Sequence, residues 1–343
     1  MGDVHIGARG DSLIVSEYQL NFFEEVLFPY MKTNGIKTIL QTGDLFDRRK
    51  FSNHIILHQW KTRFFDKLSD WGFGLITLVG NHDASYKNSL SINTPSLFLS
   101  SYDNIKIISS PQDVDIEGIS FFVVPWICED NQSLVEENLK VTSSIFCVGH
   151  FEFDGFEFQR GVPAHGGLSI DAYSNFDMVF SGHYHTKSKR KNVLYVGTPF
   201  EQTWADYNDP KGFHVFDTSS HKVTFVRNPS VLFRKCEYDD LNTEPLDPTN
   251  LVGAYVKVIV VNKTDPYKFE KFITQIISQA PADLKISEAD IAFHGVEVEE
   301  EMKLEDTPTL MKKFIDQCET PLSKDKLKLN LNRLYTEALE FVE

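Results

Sequence analysis

Four apolar runs in this chain each end in a glycine that is followed at once by histidine, aspartate or asparagine. The four ends are Gly43-Asp44, Gly80-Asn81-His82-Asp83, Gly149-His150 and Gly182-His183-Tyr184-His185. Asn, His and Asp are poor strand formers, whereas glycine lets the chain turn sharply after a strand. One such end is ordinary turn chemistry. Four of them predict strands whose carboxyl ends share a site, because ligands of open α/β sheets bind at those ends.

The segments between these runs predict a sheet covered by helices. Apolar residues recur every three or four positions over 15–30 and over 55–71, which indicates two amphipathic helices, the first closed by Asn34-Gly35. Strands are expected at 36–42 and 73–79, and strand–helix alternation is typical of a largely parallel sheet. Further strands are expected at 119–126, 144–150, 178–183 and 193–199, with a hairpin over 212–228 and a β-α-β unit over 254–293.

Composition, charge and cysteine spacing argue against several classes of protein. The chain is 41% hydrophobic with a net charge of −15, which argues against a passive polyanion-coating protein. No apolar run approaches the ~18 residues of a membrane span, the first residues carry no signal-peptide pattern, and the four cysteines lack metal or disulfide spacing. We therefore expect a cytoplasmic protein with reduced thiols and no membrane contact.

The polar clusters predict a metal site. Together with Asp3-Val4-His5 they offer imidazole, carboxylate and carboxamide ligands without thiolate, a set that suits Mn²⁺, Fe²⁺ or Zn²⁺. The motifs hold nine such side chains, and even seven ligands exceed what one tetrahedral ion takes and suit two ions that share a carboxylate, as in two-metal phosphate hydrolysis. A single histidine at a strand end is more often a core or surface residue.

The order of these motifs resembles one superfamily. Asp-x-His, Gly-Asp, Gly-Asn-His-Asp, Gly-His and Gly-His-x-His resemble the motifs of calcineurin-like metallophosphoesterases. Within them "QTGDLFD", "VGNHD" and "SGHYH" followed by "YVGTP" are similar to SbcD-type nuclease subunits, most nearly those of bacteriophage recombination endonucleases. The resemblance spans residues 3–199 and continues more weakly to the C-terminus.

This resemblance implies an α/β fold of the αββα sandwich type. A two-sheet metallophosphoesterase (nuclease) domain is expected over 1–235, a small β-α-β capping domain over 236–300, and a C-terminal helical segment over 301–343 that docks an ATPase. Five apolar residues lie on one face of the last predicted helix, either for a partner helix or for packing on their own domain: Leu327, Leu331, Leu334, Ala338 and Val342.

The resemblance also implies roles for the site residues. One ion would be held by Asp3, His5, Asp44 and His185, and the other by Asp44, Asn81, His150 and His183. The ions are expected to be Mn²⁺, with Mg²⁺, Fe²⁺ or Zn²⁺ as alternatives. His82 is implied to contact the substrate phosphate and protonate the leaving oxygen. Asp47 or Asp83 would orient or charge His82, or would cap a turn.

The activity implied is that of a DNA nuclease subunit in recombination, repair and replication. It would act as an exonuclease on duplex ends and an endonuclease on single strands, as a homodimer with an SbcC-type coiled-coil ATPase, in the host cytoplasm if phage-encoded. Basic residues beside the metal motifs would contact DNA phosphates or are solvated surface charge: Arg48, Arg49, Lys187, Lys189, Arg190 and Lys191. A phosphatase or nucleotide phosphodiesterase, or a non-catalytic scaffold, remains an alternative.

One departure from the family pattern concerns the first motif. Asp-x-His ends the first strand in the family, whereas only Met1 and Gly2 precede Asp3 here. We expect that a strand has been lost by truncation, which would leave backbone hydrogen-bonding groups unpaired. We also expect Asp3 and His5 to be poorly held. This departure keeps the scaffold alternative open.

Overall fold

The computed structural model describes residues 1–159, 162–164, 167–241, 251–288 and 323–324. The chain divides into two compact units, Met1–Ala292 and Phe293–Glu343, and the elements given below belong to the first. The apolar residues predicted to dock a partner, 327–342, lie outside the described residues. Among the described helices, none has the length and apolar character needed to cross a membrane.

Helices cover the first third of the chain and recur singly later. They are α1 (Ala8–Asp11), α2 (Leu13–Phe22), α3 (Phe28–Asn34), α4 (His54–Trp60), α5 (Asp66–Asp70), α6 (Thr94–Leu99), α7 (Gln132–Val141) and α8 (Pro266–Ser278). Short π-helical segments, Phe23–Leu27 and Lys61–Phe65, join α2 to α3 and α4 to α5. The two predicted amphipathic helices are thereby confirmed, and Gly35 ends the first with a left-handed φ of 68°.

The strands form two principal sheets and smaller ones. The strands are β1 (Thr38–Gln41), β2 (Gly74–Leu78), β3 (Ile105–Ile108), β4 (Gln112–Ile116), β5 (Ile119–Val124), β6 (Phe146–Gly149), β7 (Glu157–Gln159), β8 (Val162–Pro163), β9 (Met178–Ser181), β10 (Ser188–Arg190), β11 (Val193–Tyr195), β12 (Gly212–Phe216), β13 (Val223–Arg227), β14 (Phe233–Asp239), β15 (Tyr255–Asn262) and β16 (Asp283–Glu288). The small sheet, β1-β2-β3, is parallel throughout. The large sheet has the order β10-β11-β9-β6-β5-β4, with parallel pairs from β11 to β5 and an antiparallel pair at each edge.

The two sheets pack face to face. Successive residues of a strand point to opposite sides of its sheet, so a single strand contacts a different layer on each side. On β5, Phe121 lies in a buried cluster with Leu78 of β2 and Ile108 of β3. The next residue, Phe122, lies in a cluster with Val135 of α7. The large sheet is therefore covered by the small sheet on one face and by α7 and irregular chain on the other.

The outer face of the small sheet carries the first helices. Ile39 of β1 and Leu75 of β2 share a buried cluster with Phe28, Trp60 and Phe64. Burial of one such aromatic side chain contributes about 1.5–3 kcal/mol, so this cluster fixes the helices on the sheet. The resulting helix–sheet–sheet–helix layering confirms the predicted fold class, and β12 and β13 pair as the predicted hairpin.

The predicted β-α-β unit is present, and one further strand belongs to its sheet. β15, α8 and β16 follow in order, and β14 joins them in a parallel sheet with the order β14-β15-β16. β14 begins at Phe233 and runs through the boundary predicted between residues 235 and 236. Its own buried cluster includes Tyr238, Val258 and Phe269. The sheet of the β-α-β unit therefore includes a strand that begins before residue 236.

Candidate metal centre

Strands of both sheets direct polar side chains to one site. Asp44 follows β1 and Asn81 follows β2 of the small sheet, while His150 follows β6 and His183 follows β9 of the large sheet. Within each sheet the two strands run parallel, so their carboxyl ends lie at the same edge, and the contact of Asn81 with His150 brings the two edges together. The convergence predicted from the four glycine-ended runs is therefore present.

Asp3, His5 and His185 form the first group of potential ligands. Their ligand atoms lie within 4.8 Å of one another. Nε2 of His185 is 3.9 Å from Oδ2 of Asp3, and the rings of His5 and His185 have centroids 5.2 Å apart. These are the residues that the resemblance assigns to one ion, together with Asp44.

The N-terminal segment that carries Asp3 and His5 is firmly held, contrary to our expectation. The N–H groups of Val4 and His5 donate to the carbonyl oxygen of Asp44 at 3.0 and 3.1 Å, and the N–H of Ile6 donates to Leu45 O at 2.9 Å. Asp3 and His5 are 1% and 4% exposed. The segment thus lies beside the end of β1 and continues the backbone hydrogen bonding there.

Asp44, His150 and His183 form a second group with ligand atoms within the same 4.8 Å limit. Asn81 lies between the two histidines, with its Oδ1 2.8 Å from Nε2 of His150 and 3.1 Å from Nδ1 of His183. Oδ2 of Asp44 is 3.3 Å from Nε2 of His150 and 3.9 Å from Nε2 of His5. Asp44 therefore stands between the two groups, where a shared ligand would be needed.

The contacts of the His150 ring indicate that its surroundings suit a cation. Its Nδ1 donates to Thr42 O at 2.9 Å, so the opposite nitrogen, Nε2, faces the oxygens of Asn81 and Asp44. Nε2 and the two oxygens each carry a lone pair. The three atoms would repel one another unless a proton or a cation lies among them. Such a mixed nitrogen and oxygen set suits a divalent metal ion.

The surroundings of the His5 ring also suit a cation. Neither of its buried ring nitrogens makes a hydrogen bond within the described part of the chain, although Nδ1 lies 3.3 Å from Oδ1 of Asp47. Buried polar atoms are normally hydrogen-bonded, and a metal ligand is a common exception. Both groups of side chains are thus compatible with divalent cations.

Electrostatics favour the metal-binding forms of His183, His185 and Asp44, whereas the neighbouring carboxylates, against the effect of burial, raise the pKa of His5 and of His150 to about 9. Burial, with the neighbouring imidazoles, lowers the pKa of His183 and of His185 to about 3, which leaves both rings neutral near pH 7. Burial opposes ionisation of Asp44, but His150 and the adjacent histidines outweigh it and hold its pKa well below the usual range. Neutral imidazole and ionised carboxylate are the forms that bind metals.

Gly80 and Gly43 let potential ligands lie close to the backbone, because any side chain at either position would clash with one of them. A Cβ on Gly80 would lie 2.1 Å from Oδ1 of Asp44. A Cβ on Gly43 would lie 2.4 Å from Nδ1 of His150, and Gly43 also has a φ of +101° that disfavours side chains. The glycine of the Gly-Asn-His-Asp motif therefore leaves the space that the Asp44 carboxylate occupies.

His82 is oriented by the backbone of Asp47. Nδ1 of His82 donates to the carbonyl oxygen of Asp47 at 2.7 Å, which leaves Nε2 as the nitrogen available to a substrate. The His82 ring meets the His5 ring edge-on at 4.8 Å. His82 also belongs to a third close group with His5 and Asp44, although the resemblance gives it no ligand role.

Asp83 makes the contacts of a turn cap rather than of a catalytic partner. Its carboxylate accepts the N–H groups of Leu45, Phe46 and Gly80 at 3.2, 2.8 and 2.9 Å. Burial and the nearby Asp44 raise the pKa of Asp83 to about 7. Of the two interpretations open for Asp83, these contacts favour the structural one, because they join the ends of β1 and β2.

Two residues at the site were not anticipated from the sequence. Trp126 lies after β5 with its ring 5.1 Å from that of His183 and 5.8 Å from that of His150. Gln202 donates from Nε2 to the carbonyl oxygen of Asp3 at 3.0 Å. Trp126 ends the apolar run 119–126, and its position at a strand end was the signal that could have identified it.

The predicted DNA-contacting residues differ in how they are engaged. Arg48 pairs with Asp11 at 3.0 Å and Lys191 with Asp171 at 2.7 Å. The remaining four are surface residues of the same two runs: Lys187 stacks 3.6 Å above the ring of Phe225, Arg190 donates to Gly155 O at 3.0 Å, Lys189 is exposed and Arg49 is half-buried. Lys187, Lys189 and Arg190 line a cavity of about 570 Å³, and Lys187 is two residues beyond His185.

Comparison with known proteins places these features in context. The sequence model of the calcineurin-like phosphoesterases matches residues 1–187. Exonuclease subunit 1 of Enterobacteria phage T4 is 34% identical over 345 residues, which cover 99% of this chain and 98% of that protein. The DNA double-strand break repair protein Mre11 of Nanoarchaeum equitans is 22% identical over 248 residues, covering 63% of this chain and 65% of its own length. Its counterpart in Saccharolobus solfataricus is 26% identical over 136 residues, or 39% and 34% of the two chains.

Proposed function

The chain belongs to the calcineurin-like phosphoesterase family, and we propose that it is a metal-dependent DNA nuclease subunit that hydrolyses phosphodiester bonds. One observation carries this proposal: two groups of potential ligands adjoin at strand ends, with Asp44 between them. The similar proteins named above, an exonuclease subunit and double-strand break repair proteins, support DNA as the substrate.

In this proposal the two groups hold two divalent ions. Asp3, His5, Asp44 and His185 hold one, here called the first cation position. Asp44, Asn81, His150 and His183 hold the other, the second cation position. Mn²⁺ is the proposed ion, and Mg²⁺, Fe²⁺ and Zn²⁺ are alternatives to be compared by experiment. When bound, such ions neutralise phosphate charge and lower the pKa of a water molecule.

His82 supplies the proton chemistry in the proposed reaction. Since Asp47 O engages Nδ1, the ring presents Nε2 to the substrate. A protonated Nε2 donates to the leaving oxygen or to a phosphate oxygen. His5, whose ring meets His82 edge-on, limits how far the ring of His82 can turn. Asp47 thus acts on His82 through its main-chain oxygen.

The proposed substrates are duplex ends, cut exonucleolytically, and single strands, cut endonucleolytically. The basic residues of the runs 48–49 and 187–191 would contact the DNA backbone, where lysine and arginine neutralise phosphates without reading sequence. The engagement of Arg48 and Lys191 with acidic residues weakens their case. Lys187 and Lys189 are the stronger candidates because they line the cavity that follows His185.

We propose two protein partners, an SbcC-type ATPase and a second copy of this chain. The ATPase would dock on the 301–343 segment. Support for self-association comes from apolar side chains that the structure leaves exposed: Phe51 is 73% exposed, Ile55 60% and Leu97 68%. Light scattering of the full chain and of Leu97→Glu tests the homodimer, and co-purification with and without residues 306–343 tests the ATPase.

A nuclease assay tests the proposed function. The full chain is supplied with Mn²⁺, Mg²⁺ or a chelator, together with end-labelled duplex DNA, circular single-stranded DNA, a nucleotide phosphodiester and a phosphorylated peptide. Mn²⁺-dependent cleavage of DNA that the chelator abolishes supports the proposal. Turnover of only the nucleotide or the peptide would identify another kind of phosphoesterase, and metal binding without turnover would favour a scaffold.

A further inference from the structure

A buried lysine lies behind the first cation position. Lys211 is 4% exposed, and a lysine is rarely so buried unless it is paired. Its Nζ contacts Oδ1 of Asp206 at 2.5 Å and Oδ2 of Asp209 at 2.8 Å. It also donates to the carbonyl oxygen of His185 at 2.9 Å. Lys211 therefore links two carboxylates to the main chain of a residue in the first group.

The same segment also reaches Asp3. Oδ2 of Asp206 accepts the N–H groups of Gln202 and Thr203, both at 2.9 Å. Gln202 in turn donates to the carbonyl oxygen of Asp3 at 3.0 Å. A continuous set of hydrogen bonds thus runs from His185 through Lys211, Asp206 and Gln202 to Asp3.

These contacts are unequal between the two cation positions. The set ends on the main chains of Asp3 and His185, which both belong to the first position. At the second position, Asn81 and His150 contact each other and His150 is anchored on Thr42 O. His183, also of the second position, is reached indirectly, through its N–H, which donates to the carboxylate of Asp3 at 3.0 Å. A change at Lys211 should therefore act more strongly on the first position than on the second.

We propose that Lys211, acting through Asp206 and Gln202, is a positioning residue that sets His185 and Asp3 for the first cation position. This inference rests on the two-cation centre proposed above. Lys211 touches no ligand atom of the site. It acts through the main chain, in the way that residues behind metal ligands commonly orient them.

Burial explains why a lysine is needed for this role. A neutral side chain at 211 would leave the carboxylates of Asp206 and Asp209 buried without their cation, which is strongly destabilising. Within the part of the chain that the structure describes, it would also leave His185 O with the N–H of Thr198, at 3.1 Å, as its remaining hydrogen-bond donor. The first effect concerns stability and the second concerns position, so the test must separate them.

Mn²⁺ binding to the full chain measures how well His185 and Asp3 are placed for the first cation position. Two Mn²⁺ ions that share a carboxylate are magnetically coupled, whereas a lone ion gives a six-line electron paramagnetic resonance spectrum. We expect the wild-type chain to bind two ions and Lys211→Met to bind the first-position ion about 10–100-fold more weakly, so that the six-line signal appears at sub-saturating Mn²⁺. Lys61→Met, which removes an exposed lysine paired with Asp66 at 2.8 Å, is the matched control and should keep the coupled signal.

A charge-neutral triple variant separates positioning from stability. Asp206→Asn, Asp209→Asn and Lys211→Met together remove the buried charges, and the amide oxygen introduced at position 206 can still accept the two N–H groups. We expect the triple variant to fold and still to lose first-position affinity. Two coupled ions at wild-type affinity in both Lys211 variants would overturn the positioning role. Two ions in the wild-type chain without DNA cleavage would refute the nuclease proposal alone.

Discussion

Oδ1 of Asn81 lies 2.8 Å from Nε2 of His150, and this contact joins the carboxyl ends of strands from two different sheets. Asn81 follows β2 of the small sheet, and His150 follows β6 of the large one. The second cation position therefore depends on how the two sheets pack. An apolar interface built from residues such as Leu78 and Phe121 sets that packing, so the core and the site are mechanically linked.

Replacing Asn81 with alanine should weaken the second cation position and spare the first. The amide oxygen is the atom that lies between His150 and His183, and alanine removes it without changing charge. We expect Mn²⁺ titration to show one tight and one weakened site, with affinity reduced about 10–100-fold at the latter. Asn104→Ala, at an asparagine that bonds to Phe73 O outside the site, is the control. Equal weakening of both positions would contradict the assignment.

Replacing Asp44 should affect both positions, because its carboxylate lies between the two groups. In the wild-type chain, Oδ1 of Asp44 accepts the N–H of His82 at 2.8 Å. Asp44→Asn keeps the shape of the side chain and this acceptor oxygen, while it removes the negative charge. We expect the number of bound Mn²⁺ ions to fall from two toward zero in equilibrium dialysis. Asp115→Asn, an exposed aspartate on β4, should leave both ions bound. Retention of two ions by Asp44→Asn would rule out a bridging role.

The sequence was most informative where a local pattern decides the structure. Apolar spacing located α2 to α5, and glycine-ended runs located the strand ends that carry Asp44, Asn81 and His150. The strand β4, whose residues alternate with aspartate as "QDVDI", was missed because it is a polar edge strand. Such a segment lacks the apolar signal of the inner strands.

Contacts between distant residues could not be derived from the sequence. Asp83 was an equal candidate for charging His82 and for capping a turn. The structure favours the cap because the N–H groups of Leu45 and Phe46 approach its carboxylate from another strand end. The role of Lys211 likewise depends on a fold that brings His185, Asp206 and Asp209 around one buried amine. Sequence spacing does not encode either arrangement.

His82→Ala should retain both cations and lose most cleavage. The variant removes the proposed proton donor, and general acid–base steps contribute about 10²–10⁴-fold to rates. The check combines Mn²⁺ content with single-turnover cleavage of duplex DNA. His54→Ala, an exposed histidine at the start of α4, should cleave at the wild-type rate. Normal cleavage by His82→Ala with two bound ions would exclude the acid role.

Glu24 should stabilise the helical layer only above the acid range. Hydrogen bonds from Arg63, at 2.6 and 3.2 Å, hold the pKa of Glu24 below its ordinary value of 4.5, and Lys67 adds a further ion pair. A lowered carboxyl pKa contributes stability above the unfolded value and loses it as pH falls through the folded value. We expect Glu24→Gln to cost about 1 kcal/mol at pH 7 and progressively less below pH ~4.5.

Urea unfolding at several pH values checks this prediction. Glu25→Gln is the matched control, since Glu25 is the next residue and is exposed, and it should unfold like the wild-type chain throughout. A free-energy difference between Glu24→Gln and wild type that stays constant from pH 7 to pH 4 would show that the ion pairs are not its source.

Neutralising the basic run after His185 should weaken DNA binding regardless of sequence. We expect a variant with Lys187, Lys189, Arg190 and Lys191 all replaced by glutamine to reduce the slope of log K against log salt by about 0.9 for each lost phosphate contact on duplex DNA. Lys191→Gln alone should change the slope least, because Asp171 already pairs with its amine at 2.7 Å. Lys189→Gln should change it more, since Lys189 lines the cavity beside the site.

Fluorescence anisotropy over a range of salt concentrations measures these slopes on two unrelated duplexes. The control replaces Lys268 and Lys271, two exposed lysines on α8, and removes charge at a distance in sequence from the metal motifs. If only net charge mattered, the control and the basic-run variants would shift affinity alike for each charge removed, without lowering the slope selectively. A slope that falls only with the 187–191 substitutions identifies that run as the place where the DNA backbone is held, because counterion release counts the phosphates actually contacted.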